Sequence, residues 1–243
     1  MNHRWHDPGH HPIQARTDDQ IETGHTPARH RDPGIGTTDM GHGHGRSYDI
    51  YSAFFFGGRR RRVFTRLAAE SGARPGDRVL DVGCGTGYFT RVLAQAVAAA
   101  GAAHGVDPSG EAITHAQRVT RLANCTFGEG VAEALDAPDA AYDVVVSSLM
   151  IHHLPETLRP RAIGEMFRVL RPGGSVLIAE FRPPASRIGR RVMTRVTGHD
   201  AMAENRVDLL EPMIRDAGFE QARSGEVRPW IYYVHAQKPA GGS

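Results

Sequence analysis

The stretch VLDVGCGTGYF, residues 79–89, decides the fold of this chain. A short apolar strand, predicted at 77–83, runs directly into Gly83, Gly85 and Gly87, and a helix is predicted to follow at once. Glycines at this point let the backbone turn tightly and let a ligand lie against main-chain N–H groups. The start of the helix adds N–H donors that have no partner within the helix. The stretch therefore predicts a strand–loop–helix unit that binds a ligand.

Strand and helix patterns alternate through the rest of the globular part. Strands that alternate with helices form a mostly parallel sheet covered on both faces, so the sequence predicts an α/β fold. The runs VVV and VLI in two of the strands fit such a buried sheet, because its strands are continuously apolar. The predicted strands are 77–83, 102–107, 124–130, 142–149, 175–181, 219–227 and 230–237, and the predicted helices are 59–69, 88–100, 110–122, 160–169 and 206–217.

Two acids follow predicted strands. Asp81 ends the first strand, and Asp107 ends the second, 24 residues after Gly83. An acid in the second position can accept hydrogen bonds from both ribose hydroxyls of an adenosine, whereas the alternative is that Asp107 caps the helix after Pro108. The glycine order is G-x-G-x-G, not the G-x-G-x-x-G of nicotinamide cofactor sites. A Walker loop needs Gly-Lys, and the only lysine is Lys238, so phosphoryl transfer of that type is excluded.

Composition excludes several further classes of protein. The chain has 243 residues with 27 acidic and 29 basic side chains, which argues against a bulk polyanion-binding protein. Two cysteines are too few for a disulfide-stapled secreted scaffold. No apolar run approaches the roughly 20 residues that span a bilayer. We therefore expect a cytoplasmic protein.

Histidines are concentrated in the first part of the chain. Eight of the 14 lie in residues 1–46, which are otherwise rich in Asp, Gly, Pro, Arg and Thr. Such a segment cannot bury enough apolar area to offset the entropy lost on ordering, so we predict that 1–46 is disordered and that one domain occupies 47–243. The irregular histidine spacing suits at most weak chelation of Zn²⁺ or Ni²⁺, and no metal site is expected.

The motifs resemble those of a known family, the class I S-adenosylmethionine-dependent methyltransferases. VLDVGCGTGYFT resembles motif I, HGVDPS resembles the acidic motif that follows it, and GEGVAEAL resembles the adenine-contacting segment. AYDVVVSSLMIHHLP and FRVLRPGGSVLIAEF resemble the fourth and fifth strand segments. The resemblance covers about 77–181 and is nearest to the small-molecule group that includes ubiquinone and menaquinone methyltransferases (methyltransferase type 11). It implies a doubly wound, mostly parallel, seven-stranded Rossmann-like sheet with helices on both faces and an antiparallel last strand.

The resemblance also implies a cofactor, S-adenosylmethionine, which leaves as S-adenosylhomocysteine. Asp81 and the backbone at Gly83, Cys84 and Gly85 would hold its methionine end. Asp107 would accept from the ribose hydroxyls, and Pro108 would lie beside the adenine.

The adenine-contacting segment departs from the family pattern. Ala132 would offer its N–H to the adenine, but the preceding position, usually an aspartate that accepts from the adenine amino group, is Val131. Glu129, Glu133 or water would have to replace that acceptor. Ser147 and Ser148 end the fourth strand, where the sulfonium is expected.

Substrate choice should come from two regions outside the shared core. One is 47–72, whose aromatic start could fold over the cofactor, with Tyr48 or Tyr51 touching its methionine end; the alternative is ordinary core packing. The other is the insert 182–205, where arginines flank an apolar stripe at helical spacing. It could cover an acidic or lipophilic substrate or rest on a membrane surface; the alternative is a solvated lid helix.

Methyl transfer from a sulfonium is an in-line displacement, so the protein mainly has to align donor and acceptor, which can supply on the order of 7–11 kcal/mol. An oxygen or carbon acceptor also has to lose a proton. His152 and His153 follow the fourth strand at the edge where ligands bind in open α/β sheets, and either is a candidate base or substrate contact. The alternative is that the pair caps a helix and packs against the loop.

Taken together, the sequence predicts transfer of a methyl group to O, C or N of a small molecule, such as an aromatic or quinone-like metabolite, by a monomer or homodimer. The alternatives are an RNA or protein methyltransferase and a non-catalytic cofactor-binding protein. Four consecutive arginines, 59–62, suggest nucleic acid. The net charge of only +2 and the absence of an Asn/Asp-Pro-Pro-Tyr motif argue against it.

Overall fold

The computed structural model describes residues 58–183, 186, 191, 205–228 and 230–241. Three expectations lie outside these residues: the disordered segment 1–46 with its boundary at 46/47, the contacts of Tyr48 and Tyr51, and most of the insert 182–205. The described parts form five α-helices, two short 3₁₀ helices and seven strands.

The helices and strands follow the predicted order closely. In chain order they are α1 Arg60–Glu70, β1 Arg78–Val82, α2 Tyr88–Ala96, β2 Ala102–Asp107, α3 Gly110–Val119, β3 Cys125–Glu129, β4 Tyr142–Ser148, a 3₁₀ turn Ile151–His153, α4 Arg159–Val169, β5 Leu170–Phe181, a 3₁₀ turn Val207–Leu209, α5 Leu210–Asp216, β6 Glu220–Val227 and β7 Ile231–Gln237. None of the described helices is long and apolar enough to cross a membrane.

The seven strands form one sheet in the order β3-β2-β1-β4-β5-β7-β6. The first five are parallel, and β7 runs antiparallel to both of its neighbours. This confirms the predicted doubly wound sheet with an antiparallel last strand. The strand order reverses between β1 and β4, and ligands of open α/β sheets bind outside the carboxyl ends of the strands at such a point.

The side chains of the strands pack into two separate cores, one on each face of the sheet, because successive residues of a strand face opposite sides. Val79, Val146 and Leu177 pack on one face with α1, α2 and α3. Leu80 and Ile178 pack on the other face with α4 and α5. Helices therefore cover both faces, as predicted, and every central strand is buried on both sides.

The largest departure from the predicted boundaries lies between α4 and β5. We expected the sequence RPGG at 171–174 to be a loop, but β5 begins at Leu170 without an intervening loop. Tyr142 pairs with Leu170 whereas Val144 pairs with Ser175, so residues 171–174 lie opposite the single residue Asp143 and β5 has three residues more than β4 here. Lys238, after β7, exchanges backbone hydrogen bonds with Gly173 and Gly174 and extends the sheet over this segment.

Candidate functional site

The glycine loop after β1 is shaped by close packing at its first glycine. Gly83 has φ +75°, and a Cβ at this position would overlap the side chain of Met150, which follows β4. Both conditions favour glycine: the left-handed backbone and the lack of room for a side chain. The loop is thereby held against the turn that leads to the two candidate histidines.

Most N–H groups of this loop are used within the protein. The N–H groups of Gly83 and Cys84 both donate to the Val106 carbonyl, at 2.8 and 3.0 Å, and the Gly85 N–H donates to Oδ2 of Asp107 at 2.8 Å. They fasten the loop to β2. The expected backbone contacts to a ligand would therefore have to come from other groups of the loop, such as its carbonyl oxygens.

Gly85 borders open space. Its φ is +51°, and a Cβ built there would meet nothing within 4 Å. A ligand could approach the backbone closely here. The neighbouring Cys84 thiol is mostly buried, and burial raises its pKa well above the usual range, so it is not a reactive thiolate.

Asp107 lies at the carboxyl end of β2, as expected, and it holds the loop. Its Oδ2 accepts from Gly85 and its Oδ1 accepts from the N–H of Ser109 at 3.0 Å. Burial raises the pKa of this carboxyl group, while these two hydrogen bonds lower it. The cap of α3 is Ser109, whose Oγ accepts from Ala112 at 3.3 Å. Asp107 is thus not the side-chain cap, and each of its oxygens keeps a further lone pair.

Asp81 is the most unusual polar group of the site. Its side chain is 1% exposed; Oδ2 accepts from the Thr90 hydroxyl at 2.7 Å, and Oδ1 has no partner among the described residues. Burial raises the pKa of Asp81 to about 7, a rise that the Thr90 hydrogen bond opposes and nearby Asp107 increases. A buried carboxylate oxygen without a donor costs free energy, so it suits a cationic or N–H donor supplied by a ligand.

The segment expected to contact the adenine follows β3 and turns back on itself, where Val131 pairs with Ala134. Val131 is 39% exposed whereas Ala132 is buried, and the Gly130 N–H donates to the Asp107 carbonyl at 3.2 Å. The Glu129 carboxylate lies against Gly110 at the start of α3. The segment therefore presents an apolar surface beside Asp107 at the position where an acid was expected.

The two serines that end β4 face opposite sides of the sheet. Ser147 is fully buried between Val82 and Ile178, and its Oγ has no hydrogen-bond partner in the described ranges. Ser148 is half-buried beside Ala179. Ser147 therefore lies on the face of α4 and α5, and Ser148 on the face of Asp81.

The two histidines have different surroundings. The Nδ1 of His152 lies 2.6 Å from Oε2 of Glu180, and both side chains are almost fully buried, at 4% and 2% exposure. His153 is exposed, and its ring centroid lies 4.0 Å from that of His152. The structure therefore gives His152 a buried carboxylate partner.

Sequence reasoning missed four residues of this site. Glu180, Thr90 and Met150 were not singled out, although each contacts a residue that was, and Asn205 contacts Glu180. One signal was available, since Glu180 is the only charged residue in the apolar strand SVLIAEF. The other three are ordinary residue types for a helix or a turn. Within the described ranges, no three His, Cys, Asp or Glu side chains form a group that could hold a metal ion.

The site fits S-adenosylmethionine in three respects. Asp81 offers an unsatisfied buried oxygen at the end of β1, Gly85 offers backbone that a ligand can approach, and Asp107 ends β2 at the predicted ribose position. These residues lie together because parallel neighbouring strands end at one edge of the sheet.

Comparison with known proteins agrees with this geometry. A methyltransferase domain family matches residues 79–174. The ubiquinone/menaquinone biosynthesis C-methyltransferase UbiE of Shewanella pealeana is 30% identical over 200 residues, covering 72% of this chain and 79% of that protein. The UbiE of Vibrio parahaemolyticus is 28% identical over 214 residues, covering 77% and 82%.

Solved structures share the fold at lower identity. A SAM-dependent methyltransferase from Aquifex aeolicus has a TM-score of 0.61 and 22% identity, covering 71% of this chain and 87% of that one. The [4+2]-cyclase SpnF has a TM-score of 0.59 and 22% identity, covering 73% and 80%.

Proposed function

This chain belongs to the class I S-adenosylmethionine-dependent methyltransferases, and from that premise we propose that it methylates a ring carbon of a hydroxylated aromatic, quinone-type small molecule. Its cofactor is S-adenosylmethionine. The observation that carries the choice of acceptor is the similarity to two quinone C-methyltransferases over 200 residues or more, most of the length of each.

We assign the cofactor contacts residue by residue. The unpartnered Oδ1 of Asp81 accepts from the ammonium group of the methionine moiety, and the loop at Gly83 to Gly85 supplies backbone contacts. Asp107 accepts from the ribose hydroxyls with its remaining lone pairs. Val131 and Ala132 line the adenine, with Pro108 on its other side. Tyr48 and Tyr51 stay predictions outside the described residues.

The chemical contribution of the chain is mainly alignment. The bound cofactor supplies a methyl group on a positively charged sulfur, an excellent leaving group. The protein has to hold the acceptor carbon in line with that bond and exclude water. We assign this task to Ser148 and the turn 149–153 at the carboxyl end of β4, whereas Ser147, fully buried on the other face of the sheet, stays a prediction as a cofactor contact.

A ring carbon that accepts a methyl group must lose a proton. We assign His152 as the group that accepts it, because His152 has a buried carboxylate partner at 2.6 Å and follows β4 at the ligand edge. His153, exposed beside it, is the substrate-contact candidate. The insert 182–205 remains the predicted cover of the acceptor, and its contact with a membrane surface stays a prediction.

The test is an acceptor screen that follows S-adenosylhomocysteine release. Hydroxylated benzoquinols and naphthoquinols, a bulk RNA fraction and a histone-type protein are compared at fixed cofactor concentration. We expect turnover with the quinols and a carbon-methylated product by mass spectrometry and NMR. Turnover on RNA or protein alone would replace our proposal with the alternative, and cofactor binding without any turnover would favour a non-catalytic protein.

Two matched variants link the turnover to the site. Asp107→Ala should weaken cofactor binding at least about 10-fold, because it removes an acceptor of two ribose hydrogen bonds, each worth about 1 kcal/mol. Asp143→Ala is the control, since Asp143 accepts from the Arg78 N–H and Arg171 at the opposite end of the strands. Equal affinity of the two variants would refute the ribose assignment.

A further inference from the structure

Glu180 joins three segments of the chain at the carboxyl end of β5. It is 1% exposed. Its Oε1 accepts from the Ile151 N–H at 2.7 Å, and its Oε2 accepts from His152 Nδ1 at 2.6 Å and from Asn205 Nδ2 at 3.1 Å. A buried carboxylate is costly unless donors satisfy it, and here three donors converge on it.

This cluster lies on the opposite face of the sheet from Asp81. Glu180 alternates with Ala179 and Phe181, which pack with α1 to α3, so its side chain leaves β5 on the face of α4 and α5. Asp81 contacts Thr90 of α2 on the first face. The His152 ring can therefore reach a ligand at the edge of the sheet only because the turn after β4 carries it there.

That turn also touches the cofactor loop. Met150, two residues before His152, packs on Gly83, and Ile151, between them, is held by Glu180. The Leu149 N–H donates to the Ala179 carbonyl at 2.8 Å. Contacts with the rest of the protein thus fix four consecutive residues of the turn, 149–152. The folded protein therefore determines the orientation of the His152 ring.

The hydrogen-bond chemistry of this cluster decides the histidine tautomer. An ionised carboxylate can only accept, and both other donors to Glu180 are amide N–H groups, so His152 Nδ1 must carry a hydrogen. The other ring nitrogen, Nε2, is then the one ring atom of neutral His152 that can accept a proton. A carboxylate that orients a histidine in this way is the arrangement used by catalytic triads.

We propose that Glu180 is a positioning residue for methyl transfer: it holds His152 in the Nδ1–H tautomer so that Nε2 accepts the proton of the methylated carbon. The proposal rests on the proposed function above. Asn205 supports the same carboxylate and also donates to the Phe181 carbonyl at 3.0 Å, which fixes the chain where the insert 182–205 ends.

The step balances without a further reactant. A bond forms between the acceptor carbon and the methyl carbon as the bond between that methyl carbon and sulfur breaks, and the bonding pair stays on sulfur. The C–H bond at the acceptor carbon then breaks, its electron pair restores the aromatic ring, and Nε2 takes the proton. The imidazolium so formed is stabilised by Glu180 and passes its proton to water when product leaves.

The first test reads the tautomer directly and needs no acceptor. Long-range ¹H–¹⁵N spectra of the full-length, ¹⁵N-histidine-labelled protein are recorded, and the His152 signals are assigned by their loss in His152→Gln. We expect the wild type to show a protonated Nδ1 and an unprotonated Nε2, and Glu180→Gln to show a mixture of tautomers. An Nε2–H tautomer in the wild type, or an unchanged pattern in Glu180→Gln, would overturn the proposal.

The second test separates positioning from folding. Glu180→Gln should lower kcat about 10- to 1,000-fold, part of the usual contribution of general base catalysis, with KM and cofactor Kd within about 2-fold of wild type. Glu180→Asp should restore part of kcat because it restores the charge. Asp143→Asn is the control, since Asp143 also accepts from a backbone N–H, that of Arg78, and pairs with Arg171 at the opposite end of the strands.

The outcomes distinguish this proposal from the proposed function. Should no quinol be methylated by the wild type, the proposed acceptor fails while the spectra still report the tautomer. Should quinols be methylated and Glu180→Gln retain the wild-type kcat, the positioning role fails and the acceptor stands. An equal loss of kcat in Asp143→Asn and Glu180→Gln would point to lost stability and also overturn the positioning role.

Discussion

The Thr90 hydroxyl donates to Oδ2 of Asp81 at 2.7 Å, across the gap between the first turn of α2 and the end of β1. Together with the Thr90 backbone N–H, this hydroxyl stabilises the ionised form of a carboxylate whose other oxygen has no partner among the described residues. This pair joins the strand and the helix on either side of the glycine loop. The charge state of Asp81 therefore depends on its burial, on Thr90 and on the nearby charge of Asp107.

Removal of that hydroxyl should weaken cofactor binding. Thr90→Val removes the hydroxyl donor to Oδ2 and keeps only the weaker contribution of the Thr90 backbone N–H, which raises the pKa of Asp81 above about 7 and lowers the fraction that is ionised at neutral pH. We expect a Kd for S-adenosylhomocysteine at pH 7 that is about 10-fold higher, measured by calorimetry. Thr126→Val, which removes a hydroxyl bonded to His104, is the control. Equal Kd values for the two variants would contradict the prediction.

Asp81 should destabilise the ligand-free protein at neutral pH. Its pKa rises from 3.8 to about 7 on folding, so between about pH 4 and 7 the folded state binds more protons than the unfolded state, and stability falls as pH rises. Asp81→Asn removes a penalty of at most about 4 kcal/mol above pH 7. We expect a melting temperature several degrees higher than wild type at pH 8 and equal at pH 4. A lower melting temperature at pH 8 would refute this.

Cofactor binding should release a proton near neutral pH. The ammonium group of the methionine moiety, placed at Oδ1, lowers the pKa of Asp81 from about 7 and so drives ionisation. Calorimetry at pH 6.5 in buffers of different ionisation enthalpy should report a release that fades above pH 8. Asp81→Asn is expected to abolish the release. A wild-type binding enthalpy that does not depend on the buffer would place the ammonium group elsewhere.

Two glycines of the loop should respond differently to alanine. Gly83→Ala adds a clash with Met150 to the strain of φ +75°, so we expect a loss of several kcal/mol, partly recovered by adding Met150→Ala. In Gly85→Ala the new Cβ enters open space, so we expect the free energy of unfolding to fall only by the backbone strain of about 1–2 kcal/mol. Because the same Cβ occupies the expected cofactor position, cofactor affinity should fall as well. Denaturant unfolding and calorimetry separate the two effects. Unchanged cofactor affinity in Gly85→Ala would show that the cofactor does not approach there.

An acid at position 131 should strengthen cofactor binding. Val131 is 39% exposed where the family pattern has an aspartate, so Val131→Asp supplies the missing acceptor for the adenine amino group without disturbing the core. One hydrogen bond of about 1 kcal/mol corresponds to a Kd about 5-fold lower. Val119→Asp, at an equally exposed valine of α3, controls for the added charge. The adenine assignment fails if both variants bind the cofactor like wild type.

The sequence by itself determined the architecture, and the resemblance of its motifs to those of a known family indicated the cofactor. Periodicity and turn residues located the five helices and seven strands, with boundaries that differ by a few residues, because these signals are local and repeat within each element. A rule of parallel sheets predicted that Asp81, Asp107 and the glycines lie close together. Parallel strands end at one edge of the sheet, so residues after successive strands meet there whatever lies between them.

Only the tertiary structure decided which polar groups act on each other. Glu180 and His152 are separated by 28 positions and Asn205 by a further 25 from Glu180, and nothing in the spacing pairs them. The tertiary structure also showed that the N–H groups of Gly83 and Cys84 donate to the Val106 carbonyl. It left Oδ1 of Asp81 without a partner among the described residues. A sequence pattern reports which face a side chain occupies, whereas the partner of a buried polar group comes from another element, and packing chooses it.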